Sequence, residues 1–244
     1  MISAVFHSVF YNPIYNALVA LVALIPGGDV GIAVILITIA IRLILLPLSL
    51  KAARTQRTMS TLEPKIKELK ELHKENKEKQ ALETWALYKE ARVNPFAGFL
   101  IVLAQLPILL ALFWVFTYEP FSTINTARLY SFTPLPTHIS MFFLGSISVA
   151  GKSIVLALLA AATQYLQAHF ALQGTMKPSG EGFQRDFQRI MGTQLKYVFP
   201  IIIGVVAYTT SGAVALYLIT TNLAGCVQEL YVKRKLGAVT TQSR

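Results

Sequence analysis

Hydrophobic positions fall into five runs, separated by polar segments of very unequal length. They cover residues 31–50, 95–117, 153–172, 196–208 and 213–232. The first, Gly31–Leu50, has twenty residues and a single charge, Arg42. At about 1.5 Å per residue, a helix of that length matches a hydrocarbon core of about 30 Å. The pattern predicts an all-α integral membrane protein with five transmembrane helices, the fourth of them short.

The N-terminal segment, residues 1–30, has a different pattern. The apolar run 17–25 ends at Pro26-Gly27-Gly28 and is too short to span by itself. Upstream, apolar side chains recur at helical spacing: Val5, Phe6, Val9, Phe10 and Ile14. We predict an interfacial helix over residues 2–24 on the outer leaflet; a disordered leader is the alternative. Residues 1–26 contain no Lys or Arg, which argues against a cleaved signal peptide.

Residues 51–93 are strongly charged and predict a helical hairpin outside the membrane. A narrow apolar stripe marks the first arm: Leu62, Ile66, Leu69 and Leu72. After a polar break at 75–79, a similar pattern continues with Leu82, Trp85 and either Tyr88 or Lys89. The prediction is two antiparallel helices held together by one apolar seam. The alternative to a partner-binding role is that the charged face is only solvated. Residues 94–244 supply the other four spans, a second polar loop at 173–194, a surface segment at 141–151 and a short basic tail.

Charge gives the expected orientation. The chain has 22 Lys and Arg against 12 Asp and Glu, and 19 of the basic residues fall in 51–92, 173–196 and 233–244. Arg128 and Lys152 lie on the opposite side. The positive-inside rule then predicts N-out and C-in, with the hairpin in the cytoplasm. A positive-inside bias or anionic lipid explains the net charge of +10, and direct contact with ribosomal RNA stays open. The single cysteine, Cys226, excludes an intramolecular disulfide and a cysteine-based metal cluster.

Arg42 is the most informative single residue. It lies eight residues before Leu50, about 12 Å from the end of its span. A charge at the centre of a transmembrane helix costs about 2.5–3.5 kcal/mol on insertion scales, so such residues usually face protein or a wet cavity. Thr38, Arg42 and Ser49 share one helix face. The alternative is an arginine that reaches the interface through water or a lipid phosphate.

Other spans carry uncharged polar residues that could face Arg42: Gln105, Gln164, Gln167, Tyr217, Thr220, Thr221, Asn222 and Gln228. The acidic residues lie at or beyond the membrane edges, so Arg42 has no expected carboxylate partner within the membrane. Such a cation is best kept in a water-filled groove. A polar groove of this kind could receive a hydrophilic segment of another polypeptide. For any one Gln or Thr, an interhelical hydrogen bond is an equal alternative.

These residues resemble the Oxa/YidC/Alb family of membrane protein insertases. The similar segments are Thr38–Leu48 around Arg42, the hairpin entry Leu62-Glu63-Pro64-Lys65-Ile66-Lys67, Tyr88–Gly98 followed by Gln105-Leu106-Pro107-Ile108, Thr163-Gln164-Tyr165-Leu166-Gln167, and Tyr217, Asn222 and Gln228. The match runs in the same order from about residue 10 to 235. An ordered series of this length is far more specific than any single motif.

The resemblance implies an insertase and chaperone of the bacterial plasma membrane that acts without nucleotide and is not a conventional enzyme. It implies no cofactor and no metal. Its groove residues would be Arg42, Thr38, Gln105, Gln164, Gln167, Tyr217, Thr221 and Asn222. Nascent membrane proteins would be the clients of a monomer, with ribosome, Sec-type translocase and anionic lipids as further partners. The hairpin, through Lys65, Lys67, Trp85 and Tyr88, would meet them.

Three other classes of function compete with this hypothesis. A small transporter or channel could use the same polar residues, but the sequence shows neither internal repeats nor intramembrane carboxylates. An intramembrane protease lacks support, because no H-E-x-x-H motif occurs and the four histidines suggest no Ser–His pair. A plain scaffold would not explain Arg42.

Overall fold

A computed structural model describes residues 2–94, 96–119, 121, 123–172, 190 and 192–241. Helices dominate this part of the chain. Helix α1 joins Ile2–Phe6, a π-helical turn at His7–Tyr11, and Asn12–Leu24. Helix α2 is Val30–Leu72, α3 is Lys77–Glu90, and α4 is Ala97–Tyr118. Helix α5 is Ile154–Leu172, α6 is Phe199–Thr209 after a π-turn at Gln194–Val198, and α7 is Gly212–Thr241.

The five predicted spans are helical over nearly all of their described residues. By length and composition, Val30–Thr55, Ile154–Leu172 and Gly212–Arg234 could each cross a membrane. Leu103–Tyr118 and Gln194–Thr209 are shorter apolar helices. The chain is therefore an all-α integral membrane protein, as the sequence predicted. The predicted loop 173–194 lies mostly outside the described residues.

Helix α1 packs against the bundle along one face. Tyr15, Leu18, Val19 and Val22 are almost completely buried in the main hydrophobic core. Ala4–Leu24 as a whole is also long and apolar enough to cross a membrane, which the sequence prediction did not allow. The interfacial position of α1 stays a prediction.

Helix α1 ends at a tight connection that fixes the start of α2. Gly28 has φ +62°, and a β-carbon there would lie 2.0 Å from the carbonyl oxygen of His138. Only glycine fits so close to that backbone. Asp29 then caps α2, because its Oδ1 accepts from the Ile32 N–H at 3.0 Å and its Oδ2 from the Leu144 N–H at 2.8 Å. The connection thus attaches the 138–144 segment to the first span.

The span and the first arm of the hairpin form one helix. Helix α2 runs for 43 residues through Pro47 and Pro64, with no break where the charged segment begins at Lys51. The chain turns at 73–76, and Asn76 caps α3 by accepting from the Lys79 N–H at 2.9 Å. The hairpin therefore extends directly from the membrane span.

The predicted seam of the hairpin is wrong at Leu82 and Trp85 in the second arm and at Leu72 at the end of the first arm, whereas Tyr88 is half-buried as predicted. Leu82 and Trp85 are 64% and 57% exposed, and Leu72 at the tip is 74% exposed. The side of α3 that faces α2 carries Gln80 instead, whose amide donates to the carbonyl oxygens of Lys70 and His73 at 2.8 and 2.7 Å. The last carbonyls of a helix have no donor within the helix and need one from outside. Gln80 supplies this donor to α2, so α3 is rotated with Gln80 rather than Leu82 and Trp85 toward α2.

The segment between α4 and α5 forms a cap over one end of the bundle. It contains a 3₁₀ turn at Thr126–Arg128 and a two-stranded antiparallel sheet of β1 (Phe142–Phe143) and β2 (Ile147–Ser148). The segment expected to rest on the membrane surface, 141–151, thus includes a small β-hairpin. We call residues 119–153 the cap, and the two ends of the bundle the cap side and the hairpin side.

Pairs of contacts show which spans run parallel. Arg42 contacts Thr221 and Ser49 contacts Gln228, so both helices advance by seven residues in the same direction. Helices α2 and α7 are therefore parallel. Helices α5 and α7 are parallel too, since Gly212 lies beside Leu156 and Gly225 beside Gln167. A parallel arrangement of this kind is expected for alternate spans; the number of spans and their orientation in the membrane stay predictions.

Candidate functional site: a half-open groove around Arg42

Burial changes abruptly halfway along the spans. On α2 the buried positions end at Ile37 and Thr38, and the next buried residue is Ser49. On α4 the described buried residues run from Ile108 to Val115, and on α5 from Leu156 to Thr163, all toward the cap side. Toward the hairpin, residues 39–48 of α2 and 164–172 of α5 are only partly buried or exposed, although α7 keeps contacts with both helices through Thr221, Gly225 and Gln228. The bundle is thus densely packed at the cap and only partly closed around Arg42.

Arg42 lies on the open side of this boundary. Its Nη2 donates to the carbonyl oxygen of Thr221 on α7 at 2.9 Å. Its Nε is buried, and among the described residues nothing accepts from it. No described carboxylate forms an ion pair with the guanidinium. Arginine has five N–H donors in a planar fork, so this side chain retains capacity for a second, anionic acceptor.

Tyr217 and Gln105 form the floor of the groove. Tyr217 is 2% exposed, and its hydroxyl accepts from the Gln105 amide, which joins α4 to α7. Arg42 contacts the Thr221 carbonyl, one helical turn beyond Tyr217 on the same helix. Three predicted groove residues from three helices therefore meet at one place.

Other predicted groove residues have different surroundings. Thr38 is 1% exposed, and its hydroxyl donates to the Val34 carbonyl of its own helix at 2.6 Å. Asn222 is 2% exposed and faces α5, with its amide 3.3 Å from the Thr163 hydroxyl and 3.4 Å from the Ala160 carbonyl. Thr38 thus closes the cap-side end of the groove, and Asn222 joins two helices.

The remaining predicted residues lie along the hairpin side of the spans. Gln164 is half-buried on α5, and Gln167 packs so closely on Gly225 that a β-carbon there would lie 2.5 Å from its amide nitrogen. Thr221 is buried and contributes its carbonyl to Arg42. Ser49, beyond the predicted set, donates to Gln228 Oε1 at 2.8 Å and joins α2 to α7 one step nearer the hairpin.

A polar cluster in the cap was not singled out from the sequence. The Glu119 carboxylate pairs with Arg128 Nε at 2.8 Å and accepts from the Tyr11 hydroxyl at 3.3 Å. Asn16 is 4% exposed; it accepts from the Tyr130 N–H and the Thr133 hydroxyl and donates to the carbonyls of Asn12 and Arg128. The available signal was one pair of opposite charges in an otherwise weakly charged loop.

The four predicted hairpin contacts differ in exposure. Lys65 and Trp85 are exposed, and Lys67 forms a surface pair with Glu71 at 3.8 Å. Tyr88 is half-buried near Glu63. Burial raises the pKa of the Glu63 carboxyl, and burial together with the Glu63 charge raises the pKa of the Tyr88 phenol. Within the described ranges, no group of three or more His, Cys, Asp or Glu could hold a metal ion.

A bundle of apolar helices, in which the Arg42 guanidinium has no ion-pair partner among the described carboxylates, defines a multi-span membrane protein. Comparison with known proteins assigns the family. The chain belongs to the 60Kd inner membrane protein family, whose family model matches residues 22–238.

Three curated relatives cover most of the chain. A protein of Fusobacterium nucleatum named membrane protein insertase YidC is 31% identical over 215 residues, which are 85% of this chain and 88% of the relative. One of the same name from Clostridium perfringens is 31% identical over 209 residues, 84% of this chain and 79% of the relative. A third, from Oceanobacillus iheyensis, is 28% identical over 239 residues, 96% of this chain and 86% of the relative.

Proposed function

We propose that this protein is a membrane protein insertase and chaperone of the bacterial plasma membrane. In this proposal the five spans lie N-out and C-in, and the hairpin lies in the cytoplasm. The groove around Arg42 receives hydrophilic segments of client proteins, while their hydrophobic segments pass sideways into the bilayer. Membership of the family and the similarity to proteins named membrane protein insertase support this function.

The observation that carries the mechanism is the spare hydrogen-bonding capacity of Arg42. A carboxylate on an incoming segment would meet a guanidinium that has one backbone acceptor and a buried Nε without a partner among the described residues. Charge-assisted hydrogen bonds of this kind are about twice as strong as neutral ones. The groove would then replace part of the hydration that an acidic segment loses inside the membrane.

The open half of the bundle shortens the apolar path. A polar segment that enters from the hairpin side would reach the level of Thr38 and Tyr217 before it meets closely packed side chains. Only the cap-side half then remains to be crossed. Transfer of the client's apolar span into lipid supplies the driving force, at about −0.3 to −0.6 kcal/mol for each central Leu, Ile, Phe or Val. We therefore propose that no nucleotide is hydrolysed and that the protein is not a conventional enzyme.

Partner binding completes the proposal. Nascent membrane proteins are the clients, and the protein acts as a monomer. The exposed Lys65 and Trp85, with Lys67 and Tyr88, are candidate contacts for a ribosome or a Sec-type translocase. Anionic lipids would surround the basic segments on the cytoplasmic side.

The test is insertion of a single-span client into proteoliposomes. Two matched clients are compared, one with an acidic translocated tail and one in which Asn and Gln replace the acidic residues. We expect Arg42→Ala to lower insertion of the acidic client about tenfold, which corresponds to about 1.4 kcal/mol, and to affect the neutral client much less. Arg42→Lys should retain much of the activity, because it keeps the charge without the planar fork.

Two outcomes would contradict this function. Equal insertion of the acidic client by wild type and folded Arg42→Ala would remove Arg42 from the mechanism. Insertion by wild type no better than by empty liposomes would contradict the insertase function itself, and a solute flux abolished by Arg42→Ala would then favour a transporter.

A further inference from the structure

A basic cavity lies at the root of the hairpin, apart from the groove. It has a volume of about 530 Å³ and lies between α2 and the turn that follows α3. Its cationic lining is Lys51, Arg54 and Arg92, and Thr55 and Thr58 add two hydroxyls. No carboxylate in the described part of the chain forms an ion pair with any of the three cations. Three unneutralised cations around an open cavity favour an anionic ligand.

The turn that carries Arg92 is unusual. Helix α3 ends at Glu90, the Val93 N–H donates to the Tyr88 carbonyl at 3.0 Å, and the Arg92 N–H donates to the Lys89 carbonyl at 3.1 Å. This is the hydrogen-bond pattern of a Schellman motif, in which the residue at position 92 usually is glycine because φ is positive. Arg92 has φ +53°. A bulky side chain held in this conformation often indicates a functional position.

An exposed apolar face of α2 leads directly into the cavity. Leu43 and Ile44 are 62% and 75% exposed within the span. Pro47 follows at helical spacing and already lines the cavity, and Lys51 and Arg54 continue the same side of the helix. One helix surface thus changes from apolar to cationic within about three turns, at the position where the apolar run ends.

We propose that this cavity binds the phosphate of an anionic phospholipid, with the acyl chains along Leu43, Ile44 and Pro47. The apolar surface beside the cavity favours a lipid over a polar ligand from the cytoplasm, because a soluble anion has no acyl chain to bury against it. The cations come from both ends of the hairpin, namely the exit from the first span and the return to the second. A bound headgroup would therefore join the two ends of the hairpin at the membrane surface. This site makes specific the contact with anionic lipids in the proposed function, and its lipid-binding test does not depend on insertase activity.

The test measures lipid selectivity of the full-length protein in a neutral detergent. Native mass spectrometry gives the bound fraction during titration with phosphatidylglycerol or phosphatidylcholine. For wild type, we expect half-saturation at a phosphatidylglycerol concentration about tenfold lower than the corresponding phosphatidylcholine concentration. The triple variant Lys51→Gln, Arg54→Gln, Arg92→Gln should lose this preference. A matched variant at the hairpin tip, Lys74→Gln, Lys77→Gln, Lys79→Gln, removes the same charge and should keep it.

A single substitution separates binding from folding. Arg92→Gly places the favoured residue at a positive φ, so we expect an unchanged or higher thermal midpoint together with weaker phosphatidylglycerol selectivity. A fall in the thermal midpoint without loss of selectivity would show that Arg92 is structural and would overturn its role in the site.

Competition identifies the source of the anion. Inorganic phosphate and glycerophosphoglycerol, which lacks acyl chains, should displace phosphatidylglycerol only at far higher concentrations. If either competes as well as the lipid does, the site takes a soluble phosphate and the lipid proposal fails. Displacement by an acidic peptide at concentrations similar to those of the lipid would make the cavity a client site and would also overturn it, as would equal selectivity of wild type and the triple variant.

Discussion

The cap side and the hairpin side of the bundle solve the same problem, buried polar groups, in opposite ways. On the cap side, Asn16 of α1 uses both its amide and its carbonyl in four hydrogen bonds, and the Glu119 charge is paired with Arg128. In the hairpin-side half, Arg42 has one backbone acceptor and a buried Nε without a described partner. Complete pairing fixes one arrangement, whereas incomplete pairing leaves capacity for a ligand.

Apolar packing follows the same division. The core joins α1, α2, α4, α5 and α7 over their cap-side halves, including Val34, Leu112 and Val214. Past Thr38 the facing side of α2 is only partly covered as far as Ser49. The cap side thus supplies the stability that allows the other half to remain open, and this division can be tested by substitutions of similar size in each half.

The largest effect on stability is expected from Asn16→Ala. This change removes four hydrogen bonds and leaves the Tyr130 N–H and the Arg128 carbonyl, both in part-buried positions, without their partner. An unsatisfied buried group costs about 1–3 kcal/mol, so we expect a loss of about 2–4 kcal/mol in the free energy of unfolding. Reversible denaturation in detergent micelles measures it. A loss below about 0.5 kcal/mol would show that water already reaches the cap.

A smaller effect is expected from Tyr217→Phe. The Gln105 amide loses its acceptor, but Gln105 is half-buried beside the groove, where water can replace the hydroxyl. We expect a cost of about 1 kcal/mol, clearly less than for Asn16→Ala. The same denaturation assay gives both values. Equal losses in the free energy of unfolding would mean that water reaches the cap side and the hairpin side to the same extent. That result would contradict the division between the two halves.

The smallest effect is expected in the hairpin, at Glu63. Burial raises the pKa of this carboxyl, so the folded state binds its proton more tightly than the unfolded state. Stability therefore falls as the pH rises from the ordinary pKa of 4.5 through the raised value. Glu63→Gln should remove this dependence and stabilise the hairpin at neutral pH by about 0.5 kcal/mol or less.

Hydrogen exchange of the α3 amides in the full-length protein, at pH 4.5 and 7.5, measures the effect of Glu63→Gln. The control is Glu68→Gln on the exposed side of the same arm. After correction for the intrinsic pH dependence of exchange, the α3 amides of wild type should be less protected at pH 7.5 than at pH 4.5. In Glu63→Gln, their protection should be the same at both pH values. An identical response of both variants would exclude Glu63 as the cause.

The sequence predicted the features that depend on composition over many residues. Apolar runs located the apolar helices, and the charged segment located the hairpin, because hydrophobic length and charge act without regard to partners. The prediction that Leu82 and Trp85 of α3 pack on α2 was wrong, although both follow a helical period. The Gln80 amide instead donates to the carbonyls of Lys70 and His73, so the side of α3 with Gln80 faces α2. A weakly apolar helix takes its rotation from a few hydrogen bonds, which composition does not reveal.

Hydrogen-bond partners that are distant in sequence could not be predicted either. Arg42 was found from its position in an apolar run, but its acceptor is the backbone carbonyl of Thr221, which no side-chain pattern indicates. Asn16 meets residues more than a hundred positions away in the cap. The small sheet at Phe142–Phe143 and Ile147–Ser148 consists of two residues per strand, too few for an alternating pattern.

The most direct test of the division is the reaction of single cysteines with a membrane-impermeant maleimide, in a Cys226→Ser background. Thiols react as thiolates, so labelling within the membrane requires water. We predict fast labelling from the hairpin side at Gln164→Cys and Gln105→Cys. Labelling should be slow at Ala33→Cys in the cap-side core, and at Ile44→Cys, which is 75% exposed but faces lipid at the depth of Arg42. Labelling of Gln164→Cys and Gln105→Cys as slow as that of Ile44→Cys would contradict a water-filled groove around Arg42.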